Sequence, residues 1–163
     1  MPLIELPHTS GCLVCGRHNP HGLHLSLHVD TESGTVTADF KPRAEHIGFE
    51  GIIHGGVLAT VLDEAMVWAA TWAGRRFCVC GELNIRYRRS VPVGAALRVE
   101  ATIDARRSRL IEAIGSITDS AGMIYTTATG KYVPVPADRN VQFVATLVPE
   151  PGVERAMKML RGE

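Results

Sequence analysis

The 163-residue chain carries no net charge, 17 Lys and Arg standing against 17 Asp and Glu. A molecule so balanced projects no global field that would gather nucleic acid or a membrane surface. Neither partner is expected, and no DNA-binding segment is visible. A membrane span is missing as well. The one long apolar run contains Asp63 and Glu64 and is followed by short amphipathic stretches, which is not the pattern of a spanning helix. The opening residues, Met1 to Glu5, show neither the basic nor the apolar region of a secretory leader. The four cysteines do not form a spread framework but two close pairs, Cys12 with Cys15 and Cys78 with Cys80. These absences lead us to expect a reduced, cytoplasmic protein. No repeat or low-complexity tract occurs. Lysine is scarce, with Lys41, Lys131 and Lys158 leaving fourteen arginines. Guanidinium groups suit bidentate recognition of phosphate or carboxylate, although genome composition produces the same bias.

What is present fits one soluble domain with a real core: 45% apolar and 21% charged residues. Residues 1–22 are polar and turn-rich. From Leu23, strict alternation sets Leu23, Leu25, Leu27 and Val29 against His24, Ser26 and His28, the mark of a half-buried strand. Glu32-Ser-Gly34 turns the chain and Thr35 to Phe40 returns, which predicts a hairpin. Four further strand-like stretches cover about 78–91, 96–105, 110–119 and 123–133. Pro92-Val-Gly94, Arg106 to Arg109 and Asp119 to Gly122 read as hairpin connections between them. Gly115 and Gly130, inside strand patterns, suggest bulges or close approach to another backbone. Pro134 and Pro136 end the sheet region, and Val153 to Leu160 reads as a short peripheral helix.

Between the two groups of strands lies GIIHGGVLATVLDEAMVWAATWAG, residues 51–74. Val57, Leu58, Val61, Leu62, Ala65, Met66, Ala69, Ala70 and Ala73 recur at helical spacing and cover most of the cylinder, so the helix must be enclosed. Gly74 followed by Arg75 and Arg76 reads as its C-cap. Two strands, one buried helix and a four-strand meander give an α+β fold, an antiparallel sheet wrapped round one helix. We divide the chain into an N-terminal Cys-x-x-Cys segment (1–22), a main domain (23–137) and a C-terminal extension with a short helix (138–163).

A buried helix gains nothing structurally from a carboxylate, whose unpaired burial costs several kcal/mol. Asp63 is therefore a candidate nucleophile or general base. Gly55-Gly56 opens the same helix, where unsatisfied backbone N–H groups and the dipole can polarise a carbonyl, the outline of an oxyanion hole. The bland alternative is close packing of the glycines against the sheet. Gly56 and Asp63 are seven residues apart, about 10 Å along the axis at 1.5 Å per residue. One reacting carbonyl cannot touch both within a single protomer. If both take part, two helices must meet across a two-fold axis.

His54-Gly55-Gly56 with Asp63 resembles the signature of the hotdog-fold acyl-CoA thioesterases of the 4-hydroxybenzoyl-CoA and phenylacetate-pathway group. Residues 51–66 are especially similar to its "HGG…LDEA" branch. Gly81 to Gly94 resembles the strand after the helix, and Cys12-x-x-Cys15-Gly16 with Asn19 to Leu23 resembles that branch's N-terminal segment. The resemblance spans roughly residues 12–133. It implies hydrolysis of an acyl-CoA thioester without metal or other cofactor, by a homodimer with a continuous sheet or a tetramer built as a dimer of dimers. By position it makes Asp63 the catalytic carboxylate. Gly56 N–H, flanked by His54 and Gly55, would hold the thioester carbonyl of the opposite protomer's site. Two departures are visible. Relatives often carry Asn where this chain reads Glu45 to Gly51, and some have Thr where the nearest match here is Cys80. The alternatives are a non-catalytic acyl-CoA-binding domain and a hotdog enoyl-CoA hydratase.

Four sets of residues have competing readings. Glu64 points about 100° away from Asp63 and reads as salt-bridged or interfacial, with a second acid on the substrate side as the alternative. Arg86, Arg88 and Arg89, like Arg106, Arg107 and Arg109, are candidates for CoA phosphates, against a solvated sheet face. Cys12, Cys15, His18 and His21 invite a zinc reading, but the spacing is cramped and no metal is expected. Cys78 and Cys80 share a strand face, with packing as the reason and a substrate-binding role for Cys80 as the alternative.

Overall fold

The computed structural model describes residues 2–163. Seven antiparallel strands form one sheet: β1 (Leu3–Glu5), β2 (His28–Asp30), β3 (Val36–Phe40), β4 (Cys78–Tyr87), β5 (Leu97–Arg106), β6 (Ile111–Asp119) and β7 (Ile124–Pro134). Their spatial order is β1-β2-β3-β5-β6-β7-β4. The long helix α1 (Gly55–Gly74) packs on β3, β4, β5, β6 and β7, so the sheet wraps around it. This is the hotdog fold. Two short helices follow, α2 (Ala137–Val144) and α3 (Glu154–Arg161).

Burial along α1 follows its apolar spacing. Val61, Leu62, Ala65, Met66, Ala69 and Ala70 are fully enclosed, joined by Leu58, Trp68 and Thr71, while Val57 and Ala73 stay half-buried. Each large apolar side chain so enclosed contributes about 1.5–3 kcal/mol. The helix lies so close to the sheet that a Cβ on Gly115 would come within 3.1–3.3 Å of Leu62 and Met66. Gly115 thus makes room for helix side chains rather than for another backbone. Gly130 does the same for an aromatic ring described below.

Several expectations need correction. The predicted meander fails at its first step: β4 pairs with β7, not β5, and β5 pairs with β3. The Pro92 to Gly94 segment is therefore a crossing connection and not a hairpin. The apolar face of β4 can reach α1 only from the far edge, because β3 already occupies the place beside β5. The left-handed residue ending α1 is Arg75 (φ 53°), not Gly74; a Cβ on Gly74 would lie 3.0 Å from Ile111, so packing explains that glycine. Of the 23–29 strand pattern only His28 and Val29 join the sheet, in β2. Leu25 and Leu27 are buried as their alternation requires, but Leu23 and Leu25 bond to Leu13 and Val14 of the Cys-x-x-Cys segment, and Leu27 to Leu6.

Helix α2 and strand β1 were not read from the sequence. Asn140 on α2 accepts from Phe77 N–H at 2.8 Å and donates to the Leu160 carbonyl at 3.1 Å, tying α2 to the start of β4 and to α3. The apolar residues of α3 (Ala156, Met157 and Leu160) belong to the same core as α1, so this helix is docked rather than peripheral. Among the described residues no helix is long and apolar enough to cross a membrane.

Candidate active site

Asp63 sits midway along α1, half-buried, facing β4 and β7. Tyr132 on β7, fully buried, donates its hydroxyl to Asp63 Oδ1 at 2.9 Å. Desolvation, followed by the neighbouring Asp63 charge, holds the Tyr132 hydroxyl well above its ordinary pKa, so it remains a donor. Cys80 lies directly across the ladder from Tyr132. Its thiol is pushed upward first by desolvation and then by Asp63, which keeps it protonated beside the carboxylate. Among the described residues no Lys, Arg or His pairs with Asp63. The carboxyl group is oriented by a hydroxyl, with no cation paired to it among the described residues. Such a carboxylate can take a proton from water or attack a carbonyl itself.

Two local features build this corner. A bulge between Cys80 and Glu82 shifts the register of β4, which lets Cys80 and Leu83 both face α1 despite their odd spacing. On β7, a Cβ on Gly130 would lie 2.6 Å from the Tyr132 ring. Only glycine leaves the ring its place. Tyr132 itself went unread in the sequence; the available signal was a glycine two residues ahead of it on the same strand face.

The mouth of α1 is more occupied than the sequence suggests. His54 is the N-cap, and its Nδ1 accepts from Gly56 N–H at 2.9 Å. That bond requires a lone pair on Nδ1 and so places the proton of the neutral ring on Nε2. A Cβ on Gly56 would meet the His54 ring at 3.0 Å, and one on Gly55 would meet the Tyr87 ring at 3.1 Å. Tyr87, a second residue missed in the sequence, donates its hydroxyl to the Gly55 carbonyl at 2.8 Å. Both glycines are thus packed against rings. Gly55 N–H has no acceptor among the described residues. Behind the mouth, His54 N–H bonds the His46 carbonyl, and a Cβ on Gly48 would meet the His54 ring at 3.1 Å, so the 46–54 loop fixes the imidazole.

The remaining candidates separate. Glu64 faces away from Asp63, toward Cys12, Cys15 and Trp68, whose indole N–H donates to it at 3.2 Å. Among the described residues it forms no salt bridge. Desolvation, then the Cys12 charge, raises its pKa to about 7. Arg86 and Arg88 flank Tyr87, which points at α1, so they project from the opposite face of the sheet. There they line a groove with Asn84, Thr127 and Thr129. Arg89 reaches the Ile124 carbonyl at 3.4 Å. None of the three lies beside Asp63 of the same protomer. Arg106 and Arg107 line a second groove with Arg75 and Arg76 at the far end of α1. His18 and His21 are exposed and take no part in the cysteine cluster. All four cysteines are free, and burial raises the Cys78 thiol to about 11.

The family model described as the thioesterase superfamily matches residues 50–125, just under half of the chain, and includes α1 and strands β4, β5 and β6. The resemblance read from the motif is borne out at that level; the particular branch is not reached by it. A thioesterase superfamily protein of known crystal structure superimposes with a TM-score of 0.70 at 25% identity, over 75% of this chain and 62% of its own. This chain therefore spans less than two thirds of that relative. The E. coli PaaI protein from the phenylacetic acid degradation operon aligns with a TM-score of 0.64 at 18% identity, over 70% of this chain and 81% of its own. A Streptococcus mutans protein solved bound to acetyl-CoA aligns with a TM-score of 0.63 at 18% identity, over 68% and 88%. No curated protein matches the chain.

Proposed function

We propose that this protein is an acyl-CoA thioesterase, hydrolysing an acyl-CoA to free acid and CoA with Asp63 as the reacting carboxylate. The observation that carries the proposal is the unpaired Asp63, held by Tyr132 at 2.9 Å on a core helix inside the superfamily match. As base, Asp63 removes a proton from water, whose oxygen attacks the thioester carbonyl. The oxyanion then collapses, the C–S bond breaks, and the proton passes to the CoA sulfur. As nucleophile, it forms a mixed anhydride that water cleaves. Either route leaves the same products. The acetyl-CoA bound to the Streptococcus mutans relative supports CoA as the carrier. The acyl group we infer is medium, long or aromatic.

The site is proposed to be shared between two copies. Gly56 and Asp63 lie about 10 Å apart on one helix, so the N-terminus that stabilises the oxyanion must come from a partner. β4 supports this reading, because it closes one edge of the sheet with its outer side unpaired, a ready surface for a second β4. On binding, the carbonyl oxygen replaces the His54 imidazole as acceptor of Gly56 N–H, and Gly55 N–H serves as the second donor. Arg89 and the outward Arg86 and Arg88 are proposed contacts for CoA phosphates at the rim, on this or the partner protomer.

One alternative draws on a specific observation. The Gly56 N–H is already capped by His54 at 2.9 Å, which favours a non-catalytic acyl-CoA-binding domain as the second reading. A thiol-release assay over short, medium, long and aromatic acyl-CoAs separates these readings. Turnover of at least one class supports the thioesterase, whereas tight binding with no CoA released across the panel assigns the chain to acyl-CoA binding.

A further inference from the structure

Cys12, Cys15 and Glu64 converge from two distant parts of the chain. The two sulfurs and a Glu64 carboxylate oxygen all lie within 4.8 Å of one another. Cys15 is buried and the other two residues are half-buried. Three acidic side chains meet here, and among the described residues no Lys, Arg or His side chain forms an ion pair with Glu64. Gathering such groups out of water is costly unless a proton or a cation is shared between them.

The turn itself is shaped to present sulfur. Val14 N–H points at Cys12 Sγ at 3.4 Å, and Gly16 N–H holds the turn by donating to the Cys12 carbonyl at 3.0 Å. Gly16 closes the turn: a Cβ there would lie 2.4–2.6 Å from the backbone of Cys12 and Ser10. Backbone N–H groups aimed at a cysteine sulfur stabilise a thiolate, the form in which cysteine binds metal.

We propose that Cys12, Cys15 and Glu64 are the three protein ligands of a divalent cation site of the zinc class, with water in the fourth position. Two soft thiolates with one carboxylate select zinc over calcium or magnesium. Around tetrahedral zinc, with Zn–S of about 2.3 Å, ligand atoms stand about 3.8 Å apart, so the cluster needs to contract by only about 1 Å. The reading by Cys and His spacing alone missed this arrangement, because the third ligand comes from α1 and not from His18 or His21. Glu64 faces away from Asp63 and Tyr132. The ion would therefore clasp the N-terminal turn onto α1 and would not touch the reacting carbonyl. This inference is independent of the thioesterase reading.

The test is metal binding by the full chain, purified under reducing conditions. Stripped protein is titrated with zinc against a chromophoric chelator, and cobalt(II) is added separately to look for thiolate-to-cobalt charge transfer. About one tight site per chain is expected, with the charge-transfer band present and the thermal midpoint raised on loading. Glu64→Gln should weaken zinc by about 10–100-fold or more while keeping a cysteine-dependent band. Cys12→Ser with Cys15→Ser should remove both. Because Glu64→Gln leaves the cysteine turn untouched, binding stays readable even if the double cysteine variant does not fold. The proposal is overturned if reduced wild-type protein takes up no zinc. It is equally overturned if the cobalt band survives the cysteine substitutions, or if Glu64→Gln binds zinc as tightly as wild type.

Discussion

The Tyr132 hydroxyl donates to Asp63 Oδ1 across 2.9 Å, joining the last strand of the sheet to the middle of its central helix. The bond fixes one carboxylate oxygen and leaves the other directed away from it. Tyr132→Phe keeps the ring and deletes only this donor. A hydrogen bond to a charged group is worth about 1.5–3 kcal/mol, so kcat should fall about 10–100-fold. KM should move little, since Tyr132 is too deep to touch the substrate. An equal loss in kcat and gain in KM would place Tyr132 at the substrate instead.

Gly130 should be nearly as sensitive as Tyr132 without contacting anything reactive. Gly130→Ala puts a Cβ at 2.6 Å from the buried ring, which must shift. We expect a loss of about 1–3 kcal/mol in stability from overpacking, with a fall in kcat accompanying it. Urea unfolding beside a thiol-release assay measures both; wild-type values for each would show that the ring has another seat.

How much of this could be read in advance differs from residue to residue. The helix was legible because its apolar spacing leaves one solution, and Asp63 stood out because it breaks that pattern. Strand positions came through by period, yet their order did not: nothing local in β4 says that it pairs with β7 across an intervening pair of strands. Tyr132 was invisible for the same reason, as its partner lies 69 residues away in the chain. The Cys12 and Cys15 pair was seen, and its third member was not, because helix direction places Glu64 beside the turn only once the N-terminal segment is folded back. The glycines at the helix mouth were noticed and read either as room for a carbonyl or as close packing against the sheet; the rings of His54 and Tyr87 pack against them.

His54 is expected to behave as a cap more than as a catalyst. His54→Ala frees Gly56 N–H and loses the N-cap, which should cost about 1 kcal/mol of stability. Turnover should stay within about tenfold of wild type, because the imidazole leaves that N–H when the carbonyl arrives. A loss matching that of an Asp63 variant would make the imidazole part of the chemistry.

Glu64 should make the metal-free protein lose stability between mildly acidic and neutral pH. Its pKa rises from 4.5 to about 7 on folding, so between those values the folded chain holds a proton that the unfolded chain has released. Stability therefore falls as pH rises through that window and levels off above it, by on the order of 3 kcal/mol. With chelator present, Glu64→Gln should flatten the decline in denaturant midpoint between pH 5 and pH 8. An unchanged slope in the variant would assign the decline to another group.

A shared site makes a prediction about mixtures. Asp63→Asn and Gly56→Val should each be inactive, but a heterodimer of the two contains one intact site. Random pairing then restores roughly a quarter of wild-type activity, since half the dimers are mixed and half of their sites are whole. Co-expression with two affinity tags and assay of the mixed species checks this; no recovery in purified heterodimers would place each site within one protomer.

Asp63 is the residue on which hydrolysis should depend most directly. Asp63→Asn preserves the shape of the side chain while removing its charge, and the core around Leu62 and Met66 is left untouched. On the acyl-CoA that wild type turns over fastest, the variant should lose about 10²–10⁴-fold in kcat while its circular dichroism and thermal midpoint match wild type. Hydrolysis by the folded variant at a rate near wild type would contradict the assignment of Asp63 as the reacting carboxylate.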